Sequence, residues 1–136
     1  MKLIVCLDNH NAMAFNGRRQ SRDKEVIARI CAMVGDSALW MEQASAKLFE
    51  GTQVNICTSD DYLRCAGSAD FCFAETVDVL AYMDCVHEVH IFRWNRDYPY
   101  DLQFPADVLE REFRCVESSE FDGYSHPKIT VEVYTR

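Results

Sequence analysis

The segment from residue 18 to residue 23 concentrates the side chains of this chain that are best suited to chemistry. It holds three arginines, a serine and an aspartate, namely Arg18, Arg19, Ser21, Arg22 and Asp23. Guanidinium groups bind carboxylates and phosphates through paired hydrogen bonds. The segment also precedes a predicted helix, and the positive end of a helix dipole favours anions. We therefore expect a site for a small anionic ligand here, the alternative being a solvated loop.

Four further features of this region and of the C-terminal region bear on a site. Met13 and Phe15 are expected to face a ligand cleft or, alternatively, to fill the edge of the core. Asp23 is a candidate acid or a helix-capping residue favoured by the dipole. His126 is a candidate acid or base because of its imidazole, with a structural role as the alternative. Asp23 and His126 are thus the two catalytic candidates, and the sequence assigns no reaction to them.

The seven cysteines form an odd set with no C-x-x-C pair. Most have apolar neighbours, which predicts buried free thiols in a reducing compartment. The alternative is a zinc site made by Cys85, His87 and His90. Their spacing differs from that of structural zinc sites, so we predict no metal site.

Length, charge and missing motifs restrict the class of protein. The 136 residues are 49% apolar and predict one domain over 1–136. A net charge of −8 disfavours nucleic acid, since phosphate contacts need clustered basic residues. The first apolar run, residues 2–8, is too short for a secretory signal or a membrane span, which predicts a cytoplasmic protein. Motifs of metal hydrolases, nucleophile elbows, P-loops and Rossmann folds are missing.

Apolar patterning along the chain alternates between strands and helices. Strands are predicted at 2–8, 38–41, 53–57, 70–74 and 88–94, with helices at 21–34, 42–49, 58–67 and 76–83. Such alternation indicates parallel strands joined by crossover helices. Two more predicted strands, at 110–121 and 128–136, follow a loop at 98–105 and form an antiparallel hairpin. The prediction is a three-layer α/β/α sandwich with a mostly parallel mixed sheet of about seven strands.

Several short stretches, in this order, resemble the dihydrofolate reductase family. "NAMAFN" (11–16) is similar to that family's mobile active-site loop, and "WMEQASAKLF" (40–49) to its M-G-R-x-T-W stretch. "DLQFP" (101–105) looks like the family's D-T-x-F-P, and "GYSHPKITVEVYTR" (123–136) like its closing strand. The resemblance covers nearly the whole chain and implies the reductase fold.

Two departures from the family pattern concern the cofactor. The family's Gly-Arg-x-Thr turn holds cofactor phosphates at a helix N-terminus, and here its positions carry Glu42, Gln43, Ala44 and Ser45. The family's Gly-Gly pair lets the backbone approach the pyrophosphate, and here Glu75 and Thr76 stand in that region. A carboxylate about 5 Å from a phosphate charge costs about 3 kcal/mol at an effective dielectric constant of 20. We therefore expect no NADPH binding and predict no cofactor.

The resemblance leaves the substrate position open. Without a gap, Gln20 stands where the family has its substrate carboxylate, and Asp23 stands there if the loop is three residues longer. Our first hypothesis is a non-enzymatic relative of the reductases, a pseudoenzyme that binds a small anionic or heterocyclic ligand, or a protein partner, through residues 11–23. The second is a divergent reductase of a pterin-like substrate that uses a flavin or a mononucleotide. The third is an interaction or scaffold protein, with a homodimer as one form.

Overall fold

The computed structural model describes residues 1–136 and is built on a seven-stranded mixed sheet. In chain order its strands are β1 Lys2–Leu7, β4 Ala38–Met41, β5 Asn55–Thr58, β6 Phe71–Phe73, β7 Glu88–Arg93, β9 Arg114–Phe121 and β10 Ile129–Thr135. Across the sheet they lie in the order β5-β4-β6-β1-β7-β10-β9. The first five of these pair in parallel, and β10 runs antiparallel to both β7 and β9. The predicted mixed sheet with an antiparallel C-terminal hairpin is confirmed.

Helices cover both faces of this sheet. They are α1 Lys24–Val34, α2 Gln43–Ala46, α3 Tyr62–Cys65 and α4 Ala106–Glu112, with 3₁₀ segments at Lys47–Phe49 and Leu80–Cys85. Strand β1 alternates between two cores, with Leu3 in one and Ile4 in the other. Because successive side chains of a strand point to opposite faces, a strand buried on both sides is a continuous apolar run. Val26 of α1 belongs to one core and Leu109 of α4 to the other, which gives the predicted three layers.

Part of the segment 11–23 is a β-hairpin rather than the continuous loop that the sequence predicted. A second, three-stranded sheet contains β2 Ala12–Phe15, β3 Arg18–Arg19 and β8 Leu102–Gln103, in the order β3-β2-β8. Asn16 and Gly17 form the turn with φ of 54° and 70°. Positive φ at both central residues is the geometry of a tight hairpin turn, for which Asn-Gly is the preferred sequence. Residues 20–23 then connect β3 to α1.

Three other predicted elements differ in extent or type. The predicted helix 58–67 is the single turn α3, and 76–83 is replaced by the 3₁₀ segment Leu80–Cys85. Residues 110–112, predicted as part of a strand, close helix α4, which begins after Pro105. Proline fixes the backbone ahead of a helix and is tolerated at its start, and the buried pair Val108 and Leu109 then anchors the helix. The strand begins only at Arg114.

The cysteines are less buried than the sequence predicted. All seven are free thiols, but only Cys72 is buried, and three are exposed: Cys65, Cys85 and Cys115. No group of three or more His, Cys, Asp or Glu side chains is placed to hold a metal ion. None of the helices has the length and apolar character needed to cross a membrane.

Candidate functional site

A buried aspartate at the end of β1 fixes the geometry of the region that holds the candidate residues. Asp8 is 0% exposed, and its Oδ1 accepts hydrogen bonds from the main-chain N–H groups of His10 and Ala12 at 2.8 and 3.0 Å. Its Oδ2 accepts one from Gln20 Nε2 at 3.0 Å and one from the N–H of Tyr98 at 3.3 Å. A buried carboxylate needs such donors. Asp8 therefore holds the β2–β3 hairpin against the segment that follows β7.

Arg19 and Glu75 form a paired cluster below this hairpin. Arg19 Nε and Nη2 donate to the two carboxylate oxygens of Glu75 at 2.8 and 3.0 Å, and the Ser45 hydroxyl donates to Glu75 Oε1 at 2.7 Å. The Glu75 side chain is 7% exposed. The hydrogen bond with Glu75, although opposed by desolvation, raises the pKa of Arg19 above its ordinary value. The guanidinium of Arg19 is thus directed to an internal carboxylate.

A second carboxylate of the same region is also bound internally. The Thr76 hydroxyl donates a hydrogen bond to Glu42 Oε1, and Glu42 is the residue before α2. Gln43 is exposed at the first position of that helix. At the positions where the resemblance implies phosphate-binding groups, the hydroxyls of Ser45 and Thr76 therefore donate to the chain's own carboxylates.

The three arginines of the segment 18–23 lie in different environments. Arg18 is exposed and lines a crevice of about 580 Å³ with Phe15, and Arg19 lies at its border. Arg22 lines a separate cavity of about 560 Å³ beside Lys47. The structure does not bring the three arginines to one site, because Arg22 lines another cavity and Arg19 is paired with Glu75.

The crevice beside Arg18 has an unusual lining for so acidic a chain. It contains two arginines, two aromatic residues, two amides and a proline: Phe15, Asn16, Arg18, Arg19, Gln20, Tyr98 and Pro99. No aspartate or glutamate lines it. Arg18 makes no salt bridge, and Phe15 is 43% exposed. A cationic side chain with nearby aromatic surface suits a flat anionic ligand.

Asp23 and His126, the two catalytic candidates, are in direct contact. His126 Nδ1 lies 2.8 Å from Asp23 Oδ2, and the two side chains are 3% and 0% exposed. Asp23 also accepts main-chain N–H bonds at 2.8 Å each from Glu25, Tyr124 and Ser125. Burial by itself raises the pKa of Asp23, but these hydrogen bonds outweigh it and lower the pKa below its ordinary value. The carboxylate stays ionised at neutral pH and has its acceptor positions filled by the protein.

The other ring nitrogen of His126 faces two hydroxyl groups. Nε2 lies 3.0 Å from Ser21 Oγ and 3.2 Å from the Tyr98 hydroxyl. Trp94 stacks on the imidazole, with ring centroids 4.6 Å apart and an interplanar angle of 26°. The ring is therefore held on its face by Trp94 and at both nitrogens by polar partners.

A small void lies next to Ser21. It has room for about 10 Å³, and its lining includes Met13, which is 3% exposed, and Cys6. Desolvation and the nearby Glu75 carboxylate raise the pKa of the Cys6 thiol well above its ordinary value. Gln20 also borders the void, and its Oε1 is buried without a hydrogen-bond partner. Met13 thus packs in the core and borders the void at the same time.

Sequence reasoning missed Tyr98 and the link from Ser21 to His126. Ser21 and His126 are 105 positions apart, and no local spacing connects residues at such a separation.

Comparisons with known proteins identify the fold. No family model matches the chain, and no curated protein sequence matches it. Among solved structures it is similar to the dihydrofolate reductase from Enterococcus faecalis complexed with NADP(H) and RAB-propyl. That match has a TM-score of 0.67 at 12% sequence identity and covers 99% of this chain and 95% of the other. The chain therefore has the dihydrofolate reductase fold.

Proposed function

We propose that this dihydrofolate reductase-like protein binds a small, flat anionic ligand in the crevice beside Arg18 and takes no nicotinamide dinucleotide. The observation that carries the proposal is the lining of that crevice: a free exposed arginine, two aromatic rings and no acidic side chain. In a chain of net charge −8, such a surface attracts anions locally while the rest of the molecule repels them. Its volume of about 580 Å³ lies in the usual range for ligand sites.

Internal pairing supports the absence of dinucleotide binding. A cofactor phosphate near α2 would have to displace Glu75 from Arg19 and Ser45, or Glu42 from Thr76. Displacing either carboxylate leaves a charge without its donors, which costs several kcal/mol when the charge is buried. The sequence attributed the loss of NADPH binding to repulsion between Glu75 and a phosphate, but Arg19 neutralises Glu75. Occupation of the donors, more than net repulsion by Glu75, opposes phosphate binding.

The geometry of Asp23 disfavours the divergent reductase. A carboxylate that recognises a heterocyclic substrate must have a free oxygen toward the cleft. Here Oδ1 accepts hydrogen bonds from the main-chain N–H groups of Glu25 and Tyr124. Oδ2 accepts from the N–H group of Ser125 and from His126 Nδ1. The reductase hypothesis therefore lacks a substrate carboxylate, and the binding function is the better supported one.

Calorimetric titration tests the proposal with 2-naphthoate as a flat anion, inorganic phosphate as a non-aromatic anion, and NADPH. We expect 2-naphthoate to bind and the Arg18→Ala variant to bind it at least about 10-fold more weakly, which corresponds to about 1.4 kcal/mol. Arg114→Ala, which removes the same charge from exposed strand β9, is the matched control and should bind as the wild type does. Equal affinity of Arg18→Ala and wild type would contradict the site, and micromolar NADPH binding would contradict the lost dinucleotide function.

A second candidate function, association through a sheet edge, is favoured by one observation. Strand β9 lies at the end of the sheet, and its residues 114–120 are all exposed. An edge strand offers unpaired main-chain groups to another chain, although charged side chains such as Glu117 weaken that tendency. A second copy of this chain is the simplest partner for such an edge. A dimer by light scattering that Val116→Lys dissociates would support this candidate, and a monomer at all accessible concentrations would contradict it.

A further inference from the structure

We propose that Ser21, His126 and Asp23 form a nucleophile, base and orienting carboxylate that hydrolyse esters with a small acyl group. The inference goes beyond the proposed binding function; the catalytic contacts stand without it, and only the preference for an anionic alcohol rests on it. Ser21 Oγ is 3.0 Å from His126 Nε2, and His126 Nδ1 is 2.8 Å from Asp23 Oδ2. This serial contact, through the two opposite nitrogens of one imidazole, is the arrangement by which unrelated folds activate a serine.

The protonation of the imidazole follows from its partners. An ionised carboxylate only accepts hydrogen bonds, so His126 Nδ1 carries a proton and donates a hydrogen bond to Asp23. In the neutral ring Nε2 is then an acceptor, oriented toward the hydroxyl of Ser21. Three main-chain N–H groups, from Glu25, Tyr124 and Ser125, fix the carboxylate from the other side. Asp23 is therefore a positioning residue that holds the tautomer required of a base.

The surroundings of Ser21 differ from those of its two partners in a way that suits a nucleophile. Asp23 and His126 are 4% exposed each, whereas Ser21 is partly exposed and borders the small void. The main-chain N–H groups of Ser21 and Arg22 donate no hydrogen bond within the protein. They are available to an oxyanion that forms beside the nucleophile, as the N–H group after the serine is in many hydrolases.

The volumes on either side of Ser21 set the substrate class. The void next to it holds about 10 Å³, the space of a single water molecule, so the acyl group must be short. Gln20 and Arg19 line both this void and the 580 Å³ crevice. The alcohol portion of the ester then lies in the wider crevice, where Arg18 favours an alcohol that carries negative charge. Acetate esters of phenols or of anionic alcohols fit these dimensions.

The reaction proceeds in two balanced halves. Ser21 Oγ forms a bond to the ester carbonyl carbon while its proton passes to His126 Nε2. The bond from that carbon to the alcohol oxygen then breaks, and the alcohol leaves with the proton from Nε2, which produces acyl-Ser21. Water attacks the acyl carbon and gives one proton to Nε2, the bond to Oγ breaks, and Oγ regains the proton as the carboxylic acid departs.

One neighbour of the base needs a separate test. The Tyr98 hydroxyl lies 3.2 Å from His126 Nε2 and competes with Ser21 for the same lone pair. Tyr98→Phe removes the competing hydroxyl and leaves the ring in place. If Ser21 is the nucleophile, this variant should still form the acyl intermediate on Ser21, whatever its turnover rate.

Hydrolysis of 4-nitrophenyl acetate and labelling by a fluorophosphonate reagent test the proposal directly. We expect the folded wild type to turn over the ester and to carry one label, located on Ser21 by peptide mass spectrometry. Ser21→Ala should lose the label and at least about 100-fold of kcat/KM, because without the nucleophile the base has no proton to take, and general base catalysis alone contributes about 100-fold or more. Ser118→Ala, on the exposed face of β9, is the matched control and should retain both.

A positioning role for Asp23 makes a distinct prediction. Asp23→Asn should lower kcat with little change in KM, because the substrate does not touch this residue. Thermal unfolding of each variant separates loss of the fold from loss of chemistry. Labelling at Cys6 or another residue, no labelling of the folded wild type, or a Ser21→Ala variant with the wild-type rate would each overturn the proposal.

Discussion

The pairing of Arg19 with Glu75 gives the most quantitative prediction about this molecule. Arg19→Met keeps most of the aliphatic stem and removes the guanidinium, so that packing changes little. Glu75, 7% exposed, then loses two charge-assisted hydrogen bonds and keeps only the Ser45 hydroxyl. Removal of one member of a buried ion pair costs about 3–5 kcal/mol.

Partial exposure of the arginine reduces that figure. The Arg19 side chain is 29% exposed, so water screens the pair and solvates the carboxylate once the guanidinium is gone. We therefore discount that range and expect Arg19→Met to lose about 2–3 kcal/mol of the free energy of unfolding. For a domain of this size that corresponds to a fall in Tm of about 10 °C.

Urea denaturation followed by the fluorescence of buried Trp94 measures this loss. Arg19→Met with Glu75→Gln removes both charges and should recover most of the stability, because two neutral groups of similar shape replace the pair. Arg18→Met, at an exposed position without an ion pair, is the control and should stay within about 0.5 kcal/mol of the wild type. The reasoning is refuted if Arg19→Met is as stable as Arg18→Met, or if the double variant is no more stable than Arg19→Met.

Three other perturbations have defined outcomes. In Gly123→Ala the added Cβ would lie 2.5 Å from the His126 carbonyl oxygen and 2.9 Å from Asp23 Oδ2, so we expect a loss of about 1–3 kcal/mol in urea denaturation and shifted imidazole NMR signals; unchanged signals would contradict this. Burial raises the pKa of Asp23, but its hydrogen bonds lower the pKa by more, so the net shift is downward. The ionised carboxylate therefore stabilises the fold above the pKa of about 4 that Asp has in the unfolded chain, and this stabilisation is lost as the pH falls below that value. Asp23→Asn should accordingly be less stable than the wild type near neutral pH, and the difference should shrink in denaturation curves taken below about pH 4. Burial raises the pKa of Cys72 to about 12, so a thiol reagent should modify it only on unfolding, whereas the exposed thiols should react at once in the native protein: Cys65, Cys85 and Cys115.

The sheet was predictable because its signal is local. Residues 2–8 form a nearly continuous apolar run, which is typical of a strand buried on both faces. The helix that starts after Asp23 has buried residues at helical spacing, namely Val26, Ile30 and Val34. The hairpin at 12–19 also carries a local signal, the Asn16–Gly17 pair. It was missed because the whole segment 11–23 was assigned to a loop between the first strand and the first helix. Helix α4 was missed because the charged residues 110–112 continue into the pattern of the following strand.

The candidate site was only partly predictable, for a different reason. Asp23 and His126 could be singled out by residue type, but their contact joins positions 103 residues apart. The strand order places β10 next to β7. This arrangement brings His126, just before β10, close to Asp23 at the start of α1. Arg19 shows the opposite error. Its residue type indicates an anion ligand, and its partner turns out to be the chain's own Glu75.

The long separation between Ser21 and His126 also has a consequence for the folding pathway. Contacts between distant positions form late, because closing a long loop costs entropy before any contact repays it. Strand β10 is the element that follows His126, and it pairs with β7 and β9. During refolding the Asp23–His126 contact should therefore appear after the parallel strands have assembled. We expect the imidazole NMR signals to reach their native positions later than the far-ultraviolet circular dichroism reaches its native value. The Asp23–His126 contact would then report the last step of folding.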